Sequence, residues 1–268
     1  MVDLYKYEKE LYSRGISLIG GVDEVGRGPL VGPVVASCVV LPKDFVLEGL
    51  TDSKKLSEKK REIYYDYIMN HAVAIGIGII DKDIIDKINI YEATKLAMKE
   101  AIENVRKQIK LEHVLVDAMP LELDIPVTSI IKGDALSISI AAASVIAKVT
   151  RDRMLYELDK KYPMYDFKNN KGYPTKKHIK AIEEYGIINE HRRSYGPVKD
   201  YITNHNKNNQ GFTLIELLIV ISILGMLAIL LVPNVSSLID KSKEENLNKI
   251  KNSIILSSKN YATDNMTT

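Results

Sequence analysis

Apolar stretches of two kinds alternate along about the first two hundred residues, and this alternation constrains the fold more than any other feature of the chain. Short runs rich in Val, Ile and Ala are typical of buried strands, whereas longer stretches place apolar residues at helical spacing. Strands that alternate with helices predict an α/β domain. The predicted strands are residues 16–22, 33–41, 72–80, 114–116 and 126–131, and the predicted helices are residues 91–110, about 136–160, and a helix that Thr175 caps and that runs to Tyr185.

The first predicted strand ends in two adjacent acids and a glycine-rich turn. Asp23 and Glu24 supply hard carboxylate oxygens, which suit Mg²⁺ or Mn²⁺. Gly26 and Gly28 let backbone amides approach a sugar or phosphate closely, and Arg27 between them adds a planar phosphate-binding fork. The pattern indicates a metal site beside a phosphate-binding turn. By itself it also fits an ordinary solvated turn.

Two more acids stand at strand ends or helix starts. Asp117 follows the apolar run 114–116, and Asp134 follows Lys132 and Gly133 just before a long Ala-rich helical pattern. Taken alone, Asp117 is an ordinary strand-end carboxylate, and Asp134 is best explained as a helix N-cap.

The order of these features resembles ribonuclease HII. Further matching segments are Thr-Asp-Ser-Lys-Lys-Leu at 51–56, the Ala-rich run 139–152, Lys-Gly-Tyr-Pro-Thr at 171–175 and His-Arg-Arg-Ser at 191–194. The resemblance extends from about Leu11 to Tyr201. It implies a ribonuclease H-like mixed sheet flanked by helices over residues 1–202, in which an antiparallel meander is followed by parallel strands. It also implies that the four acids converge on one cleft.

The same resemblance implies the chemistry. Asp23, Glu24, Asp117 and Asp134 would be the catalytic acids and would hold two Mg²⁺ or Mn²⁺ ions. Four carboxylates brought together repel one another, so divalent cations are expected there on physical grounds as well. The implied reaction is hydrolysis of RNA in RNA·DNA hybrids and cleavage 5′ of single ribonucleotides in duplex DNA, leaving 3′-hydroxyl and 5′-phosphate ends. The protein is expected to act as a monomer.

Substrate recognition requires a way to sense the 2′-hydroxyl that distinguishes a ribonucleotide from its DNA neighbours. The backbone of Gly26, Arg27 and Gly28 provides the candidate contacts. In the family, the tyrosine matching Tyr173 packs against the sugar after the ribonucleotide and tests for DNA at that step. Without the resemblance, Tyr173 would be interpreted as a loop aromatic packed on Pro174.

Phosphate contacts are expected from local basic clusters, because 37 basic and 35 acidic side chains leave a net charge of only +2. We favour Lys54 and Lys55, although such clusters are usually solvated faces. Lys148 and Arg151 lie one turn apart on a helical face and can meet a backbone phosphate, but pairs of this kind also occur in solvent beside an acid such as Asp152.

The cysteine and histidine residues indicate the redox environment of the protein and whether it binds zinc. The single cysteine, Cys38, lies in an apolar run and is predicted to be a small core residue, which fits a reducing cytoplasm. The five histidines show no metal-ligand spacing, so no zinc site is predicted.

The C-terminal part has a different character. Residues 203–211 form a polar stretch that predicts a linker, and residues 212–232 carry one charge, Glu216, over a length that suffices to cross a bilayer. These residues predict a transmembrane helix. A glutamate inside such a helix indicates function, unless it lies near the headgroups of a simple anchor.

Residues 207–220 resemble the leader and first helix of type IV pilins and pseudopilins. In those proteins a membrane peptidase cuts after the residue matching Gly211 and methylates the amine of the residue matching Phe212, while a glutamate placed like Glu216 assists subunit register. Residues 233–268 would then complete an amphipathic helix without the usual globular head. A true gene fusion and a joined, truncated pilin gene both account for this order.

Three roles follow for residues 212–268. In the first, they make the chain a pilus or pseudopilus component. In the second, residues 212–232 tether the nuclease to a membrane. In the third, they are a segment that a prepilin peptidase separates from the nuclease. The catalytic domain is expected in the cytoplasm in each case.

Overall fold

The computed structural model describes residues 3–50, 53, 56–208 and 214–264. These residues form two compact units, the first ending at His205 and the second beginning at Asn206.

A five-stranded mixed sheet organises the first unit. Its order is β3-β2-β1-β4-β5, with antiparallel pairing from β3 to β1 and parallel pairing from β1 to β5. The predicted meander and parallel strands are confirmed. The strands are β1 (Ile19–Val25), β2 (Val34–Val40), β3 (Ala74–Ile80), β4 (His113–Asp117) and β5 (Val127–Ile130).

Helices cover both faces of this sheet. Side-chain caps mark where several of them begin: Ser57, Asp81 and Thr175 each accept a hydrogen bond from a backbone amide in the first turn. The cap predicted at Thr175 is thus confirmed. The helices are α1 (Lys6–Ser13), α2 (Glu58–His71), α3 (Lys82–Ile88), α4 (Ile90–Arg106), α5 (Ile138–Lys161), α6 (Phe167–Asn170), α7 (Lys176–Tyr185) and α8 (Gly196–Asn208), with short 3₁₀ turns at Gly133–Ala135 and Pro163–Tyr165.

The central strands are buried on both faces. Cys38 and its neighbours on one face of β2 pack with α4, whereas Val39 on the other face packs with α2 and α5. Cys38 is fully buried, as predicted. Helix α5 crosses β1 so closely that a Cβ atom on Gly21 would lie 2.1 Å from the backbone carbon of Ser139. This close approach brings the first turns of α5 beside the acids of β1.

The main element of the second unit is helix α9 (Leu214–Asp264). The helix runs through Pro233 and covers most of the predicted amphipathic segment. Within the described ranges, no helix combines the length and apolar character needed to cross a membrane, so the span predicted at residues 212–232 is not supported. The predicted linker at 203–211 is partly helical, because α8 continues to Asn208.

Candidate active site

Asp23 lies on the central strand and is almost fully buried, with 7% of its surface exposed. Its Oδ1 accepts a hydrogen bond from the Glu24 amide at 2.7 Å. Burial raises the pKa of Asp23 well above its usual value, and the charges of Glu24 and Asp117 raise it further, whereas a hydrogen bond with the Ser144 side chain opposes the shift. The protein therefore places a carboxylate where negative charge is unfavourable.

Glu24 follows at the end of β1 and shares this environment. Burial raises its pKa, the Arg27 guanidinium opposes the shift, and the charge of Asp117 adds to it. Arg27 Nη1 lies 3.4 Å from Glu24 Oε1 in a partly exposed ion pair. Arg27 is thus placed at the acids as well as in the glycine-rich turn.

Asp117 ends β4, the strand next to β1. Its Oδ1 accepts a hydrogen bond from the Gly133 amide at 2.7 Å. Asp134 follows directly within the 3₁₀ turn, so Asp117 fixes the turn that carries Asp134. The N-cap interpretation of Asp134 is wrong, because Ser137 caps α5 by accepting a hydrogen bond from the Ile140 amide.

The donor chemistry of these acids fits a divalent cation. The charge of Asp117 raises the pKa of both Asp23 and Glu24, and a bound cation would relieve this repulsion. Carboxylate oxygens are ligands that Mg²⁺ and Mn²⁺ prefer. Over the ranges that the structure describes, no three His, Cys, Asp or Glu side chains come close enough together to form a finished metal site.

A cleft of about 270 Å³ opens beside Asp23 and Glu24. It brings together four of the predicted site residues, Asp23, Glu24, Lys148 and Tyr173, whereas Asp117 and Asp134 do not line it. Its lining consists of Asp23, Glu24, Val25, Ser53, Arg61, Ser144, Lys148 and Tyr173.

A buried arginine stabilises the Gly-Arg-Gly turn from the interior of the protein. Arg192 is fully buried and donates to the carbonyl oxygens of Gly26 at 2.6 Å and Arg27 at 3.1 Å. Gly26 has φ +96°, and a Cβ atom there would lie 2.3 Å from Arg151 Nε, so this position requires glycine. With the carbonyls occupied, Arg27 and Gly28 remain exposed at the surface.

Tyr173 lies against this turn. The residue is 42% exposed, and its ring would be 3.2 Å from a Cβ atom on Gly28. The absence of a side chain at residue 28 therefore lets the ring approach the turn. The predicted readers of the 2′-hydroxyl and of the following sugar are neighbours in the structure.

Comparison with known proteins shows which family this chain belongs to. A family profile described as Ribonuclease HII matches residues 20–197. Ribonuclease HII of Bacillus mycoides (strain KBAB4) is 58% identical over 201 residues, which cover 75% of this chain and 77% of the relative. The chain belongs to the ribonuclease HII family. It is a ribonuclease H hydrolase, and proteins of this family depend on a divalent metal.

Other matches agree. Ribonuclease HII of Bacillus cytotoxicus is 57% identical over 203 residues, covering 76% of this chain and 78% of the relative. The ribonuclease H2 of Pyrococcus horikoshii OT3 superposes with a TM-score of 0.61 at 26% identity, over 70% of this chain and 99% of that one. The ribonuclease HII of Archaeoglobus fulgidus, solved in a complex with PCNA, shares the fold with a TM-score of 0.57 at 24% identity, over 74% and 99% of the two chains. The predicted ribonuclease H-like fold is confirmed.

A different family matches the C-terminal part. The profile described as Prokaryotic N-terminal methylation motif covers residues 206–232. It confirms the motif-level resemblance to a pilin leader. Gly211 and Phe212 lie outside the described residues, and the structure does not describe the side chain of Glu216.

Arg151 does not have the phosphate-binding position that the sequence predicted. It is fully buried, and its guanidinium donates to the carbonyl oxygens of Pro33, Lys171 and Val31 at 2.9–3.0 Å. Burial, and then the charge of Arg192, lower its pKa to about 10. Arg151 therefore stabilises the loops around the site from the interior of the protein. The phosphate contact predicted for Arg151 is wrong, because its guanidinium is buried and bound to backbone carbonyls.

Lys148 lines the cleft, and its side chain is only 15% exposed. Its Nζ lies 2.6 Å from Asp152 Oδ1, so the alternative partner named from the sequence is present. Burial lowers the pKa of Lys148, whereas the Asp152 carboxylate opposes the shift. Lys54 and Lys55 lie outside the described residues, and their role stays a prediction.

The sequence did not single out three polar residues of the cleft, Ser53, Arg61 and Ser144. Ser144 Oγ lies 2.8 Å from Ser53 Oγ and also hydrogen-bonds the Asp23 side chain. Arg61 donates to the Ser53 carbonyl oxygen at 3.0 Å. A signal did exist for Ser144, since a serine inside an otherwise apolar helical run must find a buried partner.

Proposed function

We propose that this ribonuclease HII is a metal-dependent endonuclease that hydrolyses RNA in RNA·DNA hybrids and cuts 5′ of single ribonucleotides in duplex DNA. The products would carry 3′-hydroxyl and 5′-phosphate ends. The observation that supports this best is one cleft in which the buried Asp23 and the half-buried Glu24 lie beside Tyr173, whose ring packs on the Gly-Arg-Gly turn.

The acids would hold the metal. Asp23, Glu24, Asp117 and Asp134 offer only carboxylate oxygens, which match a two-metal Mg²⁺ or Mn²⁺ site. When bound, the ions supply Lewis-acid catalysis, activating water and stabilising the departing 3′ oxygen. Ser144 would orient Asp23 through the hydrogen bond between their side chains. Lys148 would place positive charge along the cleft for a backbone phosphate.

The turn and the tyrosine would select the substrate. The backbone of Arg27 and Gly28, two exposed residues of the turn, would meet the 2′-hydroxyl, while Arg192 holds the turn by donating to the Gly26 and Arg27 carbonyl oxygens. Tyr173 would pack on the next sugar and favour a deoxyribose there. Such contacts detect the sugar and not the base, so cleavage would not depend on base sequence.

The test uses the full chain with Mg²⁺ and three labelled duplexes: DNA with one ribonucleotide, an RNA·DNA hybrid and all-DNA. We expect cleavage of the first two only, on the 5′ side of the ribonucleotide in the first. Asp23→Asn should abolish cleavage, whereas Asp44→Asn, the same change at an exposed acid, should not. No cleavage, or equal cleavage of the all-DNA duplex, would refute the proposal.

We also propose that a prepilin-type peptidase cuts between Gly211 and Phe212. The methylation-motif match over residues 206–232 favours this second function. Cleavage would release the nuclease from a peptide that begins with Phe212 and carries Glu216 at its fifth position. The intact mass of each species in soluble and membrane fractions of native cells tests it. A nuclease ending at Gly211 is expected; a full-length membrane species would instead indicate a tethered nuclease.

A further inference from the structure

Two histidines meet in the interior of the first unit, away from the acids. His178 on α7 and His191 are both fully buried, and their Nε2 atoms lie 3.2 Å apart. The rings of Tyr165 and Phe167 pack around them with centroid distances of 5.3–6.4 Å. An aromatic shell of this kind offers no water to a histidine, so each ring depends on the other and on the backbone for hydrogen bonds.

The hydrogen bonds determine where the protons lie. The Ile188 amide donates to His191 Nδ1 at 3.0 Å, so that nitrogen carries no proton. Burial lowers the pKa of both rings and keeps them neutral. The proton of His191 is therefore on Nε2 and is donated to His178 Nε2. The proton of His178 is then on Nδ1, which donates to the Tyr173 carbonyl oxygen at 2.9 Å.

This chain of hydrogen bonds connects the two parts of the substrate-reading surface. On one side it ends at the backbone of Tyr173, whose ring packs on Gly28. On the other side, the backbone of His191 forms an isolated antiparallel β-bridge with Val31. The next residue, Arg192, donates to the carbonyl oxygens of the Gly-Arg-Gly turn. The contacts thus form a closed loop from the turn through both histidines and the tyrosine back to the turn.

We infer that His178 and His191 are positioning residues that set the placement of Tyr173 against Gly28, and that they thereby set the preference for a deoxyribose after the ribonucleotide. The inference rests on the proposed function, because it uses the sugar-reading role of Tyr173. Neither histidine lines the cleft, so both act through Tyr173 and not on substrate.

A matched pair of substitutions at residue 178 tests the link. His178→Asn keeps an N–H group near the position of Nδ1 and can still donate to the Tyr173 carbonyl. His178→Gln places its amide near the position of Nε2, so it keeps the contact with His191 and loses the bond to Tyr173. Both variants remove the ring from the aromatic shell. The two variants differ in the contact that they keep, which is the one to Tyr173 in the Asn variant and the one to His191 in the Gln variant. Thermal melting of each checks that both fold.

The readout is the ratio of kcat/KM for DNA with one ribonucleotide to kcat/KM for the RNA·DNA hybrid, with the full chain. We expect His178→Gln to lower this ratio about three- to tenfold, the effect of one lost hydrogen bond, and His178→Asn to keep it within about twofold. Tyr173→Ala sets the lower bound. Equal ratios for the Asn and Gln variants would overturn the inference.

The outcomes separate this inference from the proposed function. If the wild-type chain does not cut the single-ribonucleotide duplex, the proposed function fails. If it does, and Tyr173→Ala lowers the ratio while His178→Gln does not, only the inference fails. Histidine ring ¹⁵N NMR of the wild-type chain gives a second measurement that does not depend on the folding of a variant. It should show His178 protonated on Nδ1 and His191 on Nε2; a His178 proton on Nε2 would contradict the inference.

Discussion

Asp23 brings function and stability into conflict at a single residue. Burial, Glu24 and Asp117 all raise the pKa of Asp23, so ionising this side chain destabilises the fold. A divalent cation offsets this cost when it binds. The residue is retained in an unfavourable place because the chemistry needs a carboxylate there.

Replacing Asp23 by Asn should therefore stabilise the chain in EDTA while abolishing cleavage. We expect the free energy of unfolding near pH 7 to rise, because burial and the charges of Glu24 and Asp117 penalise an ionised carboxylate and not a neutral amide. Thermal melting with EDTA and with Mg²⁺ measures it. The advantage of the variant should shrink in Mg²⁺, and an equal or lower stability in EDTA would show that the ionised side chain does not strain the fold.

The two glycines of the Gly-Arg-Gly turn should respond differently to the same substitution. Gly26→Ala places a Cβ atom 2.3 Å from Arg151 Nε at φ +96°, and we expect a loss of about 2–4 kcal/mol in denaturant unfolding. At Gly28 the added atom meets only the Tyr173 ring, at 3.2 Å. Gly28→Ala should change stability by less than about 0.5 kcal/mol and lower the preference for single ribonucleotides. Similar losses at both positions would contradict this account.

Of the predicted site residues, the two acids of β1 could be assigned from the sequence, but Arg151 could not. Asp23 and Glu24 could be singled out because they follow an apolar run and precede a Gly-Arg-Gly turn, in an order of motifs that resembles ribonuclease HII. Arg151 could not be placed correctly, since an arginine that donates to three buried carbonyls has the same sequence pattern as one on a solvated helix face. Its burial depends on loops that pack from distant parts of the chain.

At the scale of elements, strands were easier to predict than helices. All five strands were expected because continuous apolar runs must be buried. Helices α1 and α2 were not, because α2 buries only Tyr64 and Ile68, and α1 buries Glu8 and Leu11. Their apolar signal is weak, and they form by packing on a sheet that sequence alone does not position.

The contact between α7 and the turn before His191 should make the fold acid-sensitive. Burial, and then the charge of His178, lower the pKa of His191 from 6.5 to about 3. Below pH 6.5 the unfolded chain binds a proton that the folded chain does not, so the contribution of this group is complete above pH 6.5 and is lost toward pH 3.

We expect the free energy of unfolding to fall by about 1.4 kcal/mol per pH unit in this window from His191 alone. Urea unfolding at a series of pH values from 7.5 downward measures the slope. A His191→Gln variant should be less stable at neutral pH and show a shallower acid slope. If its slope matched that of the wild type, His191 would not contribute to the acid sensitivity.

At the scale of the whole molecule, two family matches fall on separate parts of the chain. Residues 20–197 match the nuclease family and residues 206–232 match the methylation motif. The sequence placed the end of the catalytic part at residue 202, close to the structural division after His205. It did not predict α8, whose buried Val198 lies near the helix start and whose polar last residues extend the helix to Asn208.

Among the described residues, every member of the four hydrophobic clusters comes from the chain up to Ile202, so removal of everything after Asn208 should leave the nuclease intact. We expect kcat/KM on single-ribonucleotide DNA within about twofold of the full chain and an unfolding free energy within about 0.5 kcal/mol. A chain ending at Tyr195 is the matched control: it also loses α8, whose Val198, Tyr201 and Ile202 pack in the third cluster, and it should unfold much more readily. If the chain ending at Asn208 lost activity as the shorter one does, residues 214–264 would be part of the enzyme and not an addition to it.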